Sequence, residues 1–159
     1  MSRIRPAFTL VEVLIVVIIL AILASIVIPQ VTDATTVSRE SNLKENLSKI
    51  RAQLQVYRNQ HNAFPTAADF SDQMTLYTNA AGQTSGVRTG EFRFGPYLEQ
   101  MPANPISNLR AVRAAAAPDD RFPPGDADGG WWYNEITAAF FADLRDHHAD
   151  HDGNQYNRY

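Results

Sequence analysis

The sequence contains no cysteine, so no disulfide can hold a small exported domain together. It has no excess of basic residues, and its formal net charge of −3 argues against a nucleic-acid-binding protein. It also lacks a G-x-S-x-G nucleophile motif, a phosphate-binding glycine loop and a clear pair of nucleophile and base. These absences favour a structural or binding protein, and we predict that the chain is not an enzyme.

Charge is also almost missing from one long stretch near the N-terminus. From Phe8 to Ile28 the chain is apolar except for Glu12, and a helix of that length spans about 30 Å, the hydrocarbon thickness of a bilayer. Two arginines precede the stretch, so the positive-inside rule places the N-terminus in the cytoplasm. We predict a leader at 1–7 and a transmembrane segment at 8–29, with the rest of the chain exported.

Glu12 is the unusual residue of this segment. A carboxylate costs about 2.5–3.5 kcal/mol at the bilayer centre and less near an end, and it usually marks a function. If the chain were cut between Ala7 and Phe8, a new amine would appear one helical turn before Glu12. That amine could neutralise the carboxylate within one subunit or between neighbours, and the helix dipole would favour the carboxylate as well.

The sequence R-P-A-F-T-L-V-E-V-L at 5–14 resembles the prepilin processing motif, which type IV pilins share with the pseudopilins of type II secretion. The resemblance implies that a membrane prepilin peptidase cleaves between Ala7 and Phe8 and N-methylates Phe8. It also implies that Glu12 pairs with the N-terminal amine of a neighbouring subunit during filament assembly. The family usually has glycine at the position of Ala7, which is another small residue.

A second helical pattern follows the apolar segment. Pro29 predicts a local kink, and neither glycine nor proline occurs again before Pro65. Apolar residues recur in this interval at spacings of four and three, so we predict an amphipathic helix over 30–62 whose apolar face packs on a small domain. The stripe consists of Leu43, Leu47, Ile50, Leu54 and Tyr57.

The remaining domain, 63–159, ends in a strong hairpin signal. Aromatic segments at 131–134 and 138–142 flank the short turn E-I-T, and this hairpin should pack on the apolar stripe. We expect three or four antiparallel strands in all, the first at 91–94. The predicted fold class is α+β: a long N-terminal helix packed on a small antiparallel β-sheet with long loops.

Other parts of this domain are rich in turn-forming residues. We predict a short helix around 67–76 and an exposed, mobile loop at 108–130. The sequence G-P-Y-L at 95–98, followed by M-P-x-N-P at 101–105, resembles the segment before the sheet in major pseudopilins.

The tail is the only cluster of metal-ligand residue types and is otherwise predicted to be solvated. Asp150, Asp152 and Asn154 have the spacing that starts a calcium loop, but the acidic residue that should close the loop is absent. His148 and His151 could face one ion on a helix, yet no third ligand supports zinc.

Some major pseudopilins bind Ca²⁺ in a C-terminal loop, so the resemblance makes two segments candidates. These are the loop with Asp126 and Asp128 and the tail from Asp143 to Asp152. No ligand can be carried over residue by residue. We predict no cofactor, with Ca²⁺ as the alternative. His61, at the end of the predicted helix, is interpreted as a cap or surface residue.

Our first hypothesis is a structural subunit of a type II secretion pseudopilus or type IV pilus-like filament, most like the major pseudopilin. The implied partners are prepilin peptidase, copies of the chain and other pilins, an inner-membrane assembly platform and the membrane. The subunit would be a single-pass inner-membrane protein with a periplasmic domain until it enters the filament.

Other hypotheses stay open at this point. One is a type IV pilus or DNA-uptake pilin. Another is a membrane-anchored, exported metal-binding or enzymatic module that uses the tail rich in histidine and aspartate. A cleaved signal peptide and a plain membrane anchor are the simplest interpretations of the N-terminal segment.

Overall fold

The computed structural model describes residues 8–25, 35–126, 128–150 and 152–159, and includes 26–34 only within the course of the first helix. The chain is α+β, as predicted. Its elements, in chain order, are helix α1 (Leu10–His61), helix α2 (Phe70–Thr75), strands β1 (Tyr77–Thr78), β2 (Thr84–Ser85), β3 (Val112–Ala114), β4 (Trp131–Asn134) and β5 (Ala139–Ala142), and a 3₁₀ turn at Tyr156–Arg158.

The chain divides into two units, Met1–Ser38 and Arg39–Tyr159. In the first unit, every side chain from 8 to 25 is exposed. Among the described residues, no helical stretch is both long and apolar enough to cross a membrane. The predicted membrane segment at 8–29 and the kink predicted at Pro29 extend into residues outside the described part of the chain.

The second unit is built on the predicted apolar stripe of α1. The five stripe residues are at most 2 % exposed, and they share one core with α2 and the strands. Each such side chain contributes about 1.5–3 kcal/mol through its burial. The guanidinium of Arg51 also donates to Phe140 O from Nε at 3.0 Å and from Nη2 at 2.7 Å, which joins α1 to β5. The core residues outside α1 include Phe70, Met74, Trp131, Tyr133 and Phe140.

The predicted hairpin is confirmed as β4 and β5, which pair antiparallel with Trp132 opposite Phe141. Its turn is closed by Asn134, whose Oδ1 accepts from the N–H groups of Ile136 at 2.9 Å and Thr137 at 3.2 Å. Asparagine favours such turns because its side chain bonds the backbone two or three residues ahead. Because successive side chains of a strand point to opposite faces of the sheet, Trp131 and Tyr133 share one face of β4, and both enter the core.

The prediction of a wholly antiparallel sheet is wrong. Strand β3 pairs parallel to β4, with Val112 opposite Trp131. A parallel pair needs a crossover of a dozen or more residues, and the connection 115–130 is long enough. The first strand predicted, at 91–94, is also wrong: only Phe94 pairs, in an isolated bridge with Thr78. The left-handed Gly95 (φ 71°), followed by a proline, turns the chain away at that point.

The predicted exposed loop at 108–130 is partly wrong as well, because it contains β3 and covers one face of the sheet. Asn134 Nδ2 donates to Pro118 O at 3.1 Å and to Asp120 O at 2.9 Å. The ring of Phe122 lies 5.2 Å from that of Phe141. Trp132, on this second face, is consequently only 1 % exposed. The predicted short helix at 67–76 corresponds to α2.

Candidate functional site at the N-terminal end of α1

Two polar side chains lie at the otherwise apolar start of α1. Thr9 occupies the N-cap position, and its Oγ1 accepts a hydrogen bond from the Glu12 N–H at 3.2 Å. In return, Glu12 Oε2 accepts from the backbone N–H and the hydroxyl of Thr9, both at 3.1 Å. This reciprocal arrangement is a capping box, which satisfies two of the free N–H groups at a helix N-terminus.

The capping box gives Glu12 a partner inside its own subunit. One carboxylate oxygen, Oε2, is occupied by Thr9, and within the described residues Oε1 accepts no hydrogen bond. The positive end of the helix dipole lies at the same place and stabilises a negative charge by about 0.3–1 kcal/mol. Glu12 therefore has one carboxylate oxygen held by its own subunit and can offer the other to a cation from outside.

The predicted cleavage bond lies directly before this cap. Ala7 falls outside the described residues, whereas Phe8 is 84 % exposed and precedes the first residue of the capping box. The helix begins at Leu10, so Phe8 has non-helical backbone. An amine created at Phe8 would lie next to the box that holds Glu12.

The helix that follows is apolar on every side. Val13, Ile18 and Leu23 point in different directions around the helix, and each is 50–54 % exposed. An all-apolar helix belongs in a bilayer or in the interior of an assembly. The one polar side chain near its described end, Ser25, donates to Ile22 O at 2.7 Å and so has its own partner. Residues 8–25 thus combine one carboxylate, Glu12, with a long apolar surface that is unfavourable in water.

Thr9 is the functional candidate that sequence reasoning missed. The signal was present, because T-x-x-E at 9–12 followed by an apolar run is the pattern of a capping box. Glu12 is thus both the charge of the apolar segment and the N3 residue of the cap.

The predicted calcium-loop spacing in the tail serves a turn. Asp150 Oδ1 accepts from the N–H groups of Asp152 at 2.9 Å and Asn154 at 2.7 Å, and Asp150 Oδ2 accepts from the hydroxyl of Tyr159. These hydrogen bonds, first that of Tyr159 and then those of Asn154, hold the pKa of Asp150 far below its usual range. The carboxylate is already used by the chain itself.

The tail is also less solvated than predicted. Tyr156 and Asn157 are buried, and the Tyr156 hydroxyl donates to Glu40 Oε1 on α1 at 2.9 Å. His148 lies 3.0 Å from Asp128 through Nε2, and His151 falls outside the described residues.

The second calcium candidate is occupied by cations of the chain. Asp126 and Asp143 pair with Arg113, and Asp128 lies near Arg145. No group of three or more acidic, histidine or cysteine side chains in the described part of the chain could hold a metal ion. A calcium ion requires six to eight oxygen ligands, and the acidic side chains described in this segment are already paired with cations of the chain.

His61 is not a simple surface or cap residue. Its Nε2 lies 3.0 Å from both Thr78 Oγ1 and the Tyr97 hydroxyl, and its ring stacks on Tyr57 at 4.1 Å. Burial lowers the pKa of His61, and the backbone of Ala80 offsets part of that effect. The residue packs the last turn of α1 against the loop region.

Comparison with known proteins points to the same end of the chain. Residues 3–28 match the family model of the prokaryotic N-terminal methylation motif. The chain is 29 % identical over 144 residues to the type II secretion system core protein G of Pseudomonas aeruginosa, covering 83 % of this chain and 98 % of that protein. It is 27 % identical over 107 residues to the protein of the same name from Aeromonas hydrophila, covering 67 % of this chain and 71 % of that protein. No solved structure matches the chain.

These matches confirm the resemblance stated from the sequence. The chain carries the prokaryotic N-terminal methylation motif and is similar to the type II secretion core protein G.

Proposed function

We propose that the chain is a structural subunit of a type II secretion pseudopilus. The observation that carries the proposal is the juxtaposition at the start of α1: an exposed Phe8, a capped Glu12 and a helix that is apolar all round. The role is mechanical, since the subunit would supply a buried helix and an exposed domain to a polymer. The similarity to core protein G favours this filament over a type IV pilus.

Processing would create a positively charged partner for the Glu12 carboxylate. Prepilin peptidase would cleave between Ala7 and Phe8 and methylate the new N-terminus, which leaves a positively charged secondary amine on the residue directly before the capping box. The amine of the same or a neighbouring subunit could then bind the Oε1 of Glu12. In a setting of low dielectric constant such a pair is far stronger than in water.

Assembly would then bury the apolar helix. An ion pair between Glu12 and the Phe8 amine of a neighbour fixes one axial offset between subunits, because only one register brings the two charges together. The apolar side chains of 10–25 supply the packing, and they do not distinguish lipid from a neighbouring helix. Filament growth would thus exchange one apolar environment for another while gaining the ion pair.

Before assembly the subunit would lie in the inner membrane, with its N-terminus in the cytoplasm and residues after the apolar segment in the periplasm. An inner-membrane platform and a cytoplasmic ATPase would supply the extraction step. The absence of cysteine is compatible with this placement, since the second unit is stabilised by its aromatic core.

The experiment is a sheared-filament assay in the native host with wild type and Glu12→Gln. Glutamine keeps the size and can still accept from Thr9, but it removes the charge. We expect normal removal of the leader and at least a tenfold loss of filaments. Glu45→Gln, on the exposed face of α1 in the second unit, is the matched control. Wild-type filament yield from Glu12→Gln would contradict the proposal.

A further inference from the structure

One arginine, Arg113, pairs with a carboxylate of the acidic loop between β3 and β4 and with a carboxylate at the end of β5. Arg113, the central residue of β3, donates from Nη1 to Asp126 Oδ1 at 3.0 Å and from Nη2 to Asp143 Oδ1 at 2.5 Å. The loop and the residue after β5 are thereby joined across a strand. We call Arg113, Asp126 and Asp143 the arginine clasp.

The buried member of the clasp needs its partner. The side chain of Asp143 is 4 % exposed, against 64 % for Asp126. Burial raises the pKa of Asp143, and the Arg113 guanidinium opposes that rise. A buried carboxylate without a cation is strongly destabilising, so Arg113 is the group that makes this position tolerable.

Backbone contacts hold the loop tightly around the clasp. Gly129 N–H donates to Asp143 O at 2.6 Å, and Ser107 Oγ donates to Gly129 O at 2.5 Å. A Cβ at Gly129 would collide with the Asp143 carboxylate, so glycine is required for this close approach. The loop is therefore held against Asp143 through its backbone as well as through Arg113.

The neighbouring carboxylate is also neutralised by the chain. Asp128 Oδ1 accepts from the Arg145 N–H at 3.2 Å and lies 3.0 Å from His148 Nε2. The Arg145 guanidinium is 3.7 Å from Asp128 Oδ2. A divalent cation in this loop would meet two guanidinium groups and would have to displace one of them from its carboxylate.

We infer that Arg113 does in this chain what a metal ion does in an acidic loop: it neutralises Asp126 and Asp143 and holds the loop on the sheet, so the second unit folds without Ca²⁺. The sequence expectation of a calcium alternative is thus not supported by the donor set. The arginine clasp does not depend on how subunits assemble. This inference can therefore be wrong while the proposed function is right, and the proposed function can be wrong while this inference is right.

The test is thermal unfolding of the purified full chain in detergent, followed by the near-ultraviolet circular dichroism of the buried Trp131 and Trp132. Wild type is measured in EDTA, in CaCl₂ and in MgCl₂. We expect melting temperatures within about 2 °C of one another. A calcium ion bound at 100 times its Kd would instead raise the melting temperature by about 10 °C.

Variants separate the clasp from general charge effects. Arg113→Gln leaves Asp143 buried without a cation, and we expect the melting temperature in EDTA to fall by about 10 °C. Arg113→Lys keeps one charge that reaches one carboxylate, so an intermediate value is expected. Arg121→Gln, exposed in the same loop, is the matched control and should melt as wild type does.

Two results would overturn the inference. One is a wild-type chain that loses about 10 °C in EDTA and regains it with CaCl₂ but not with MgCl₂. The other is an Arg113→Gln variant that melts at the wild-type temperature in EDTA. If both Arg113 variants are insoluble, the wild-type comparison of EDTA with CaCl₂ still decides the matter.

Discussion

The two units of this chain use apolar residues in opposite ways. In the first unit the helix exposes every described side chain, and the polar contacts at 8–25 include the Thr9–Glu12 cap and the bond from Ser25 to Ile22. In the second unit the same helix buries one stripe against aromatic strands, and its polar groups are paired over long sequence distances. The apolar side chains of the first unit need a lipid or protein environment to be buried, whereas those of the second unit form their own core.

The largest expected contrast comes from one substitution made in each unit. Ile50→Ala removes a fully buried side chain and should destabilise the second unit by about 2–5 kcal/mol. Ile18→Ala, at a position 50 % exposed, should leave the unfolding of the second unit unchanged. Chemical denaturation followed by tryptophan fluorescence measures both.

The same pair should behave differently in the filament assay. Ile18→Ala should lower the filament yield, because assembly buries the first unit. Equal destabilisation of the second unit by the two variants would contradict the division of roles, since it would mean that 10–25 pack on the second unit in the subunit.

A smaller effect is expected from the cap. Thr9→Ala removes the Oγ1 acceptor and should cost about 1 kcal/mol at the start of α1. Amide hydrogen exchange of residues 10–13 in detergent micelles should accelerate about fivefold, and exchange in the second unit should not change. Thr9→Ser keeps the hydroxyl and should exchange as wild type. An unchanged rate in Thr9→Ala would show that the cap does not hold the helix end.

The smallest effect is a pH dependence within the second unit. Burial places the pKa of His61 below its unfolded value of about 6.5, so the unfolded chain binds more protons at acid pH. Stability should be fully present above about pH 6.5 and decline as the pH falls below it. His61 is surrounded by Tyr57, Tyr97 and Phe94, none of which ionises in this range.

Denaturant unfolding between pH 7.5 and 5 measures this dependence, with His147→Gln as an exposed control. A His61→Gln variant should flatten the acid limb of the curve. If the wild-type chain became more stable on acidification and the His61→Gln variant did not, the pKa of His61 would be raised by folding, and the prediction would be wrong.

Local patterns in the sequence were sufficient for much of this fold. The spacing of Leu43, Leu47 and Ile50 indicates a buried helix face without further information, because three and four residues make one turn. The hairpin at 131–142 is equally local, since its aromatic strands flank a short turn. The processing motif at 5–14 is also local, because it is defined by residue types at fixed positions along the chain.

Contacts between distant residues could not be predicted in the same way. The parallel pairing of β3 with β4 and the bond from Arg113 to Asp143 join segments with no local signal. The burial of Tyr156 depends on a partner, Glu40, that lies 116 positions away. A polar tail or loop is predicted to be exposed to solvent unless its distant partners are known.

The most direct measurement is the intact mass of the protein from its native host. The proposed processing gives a chain that begins at Phe8, lacks the leader 1–7 and carries one additional methyl group. Fragmentation should place that methyl on the amine of Phe8, next to the capping box. A full-length mass, or a cut at another bond, would contradict the role proposed for the first unit.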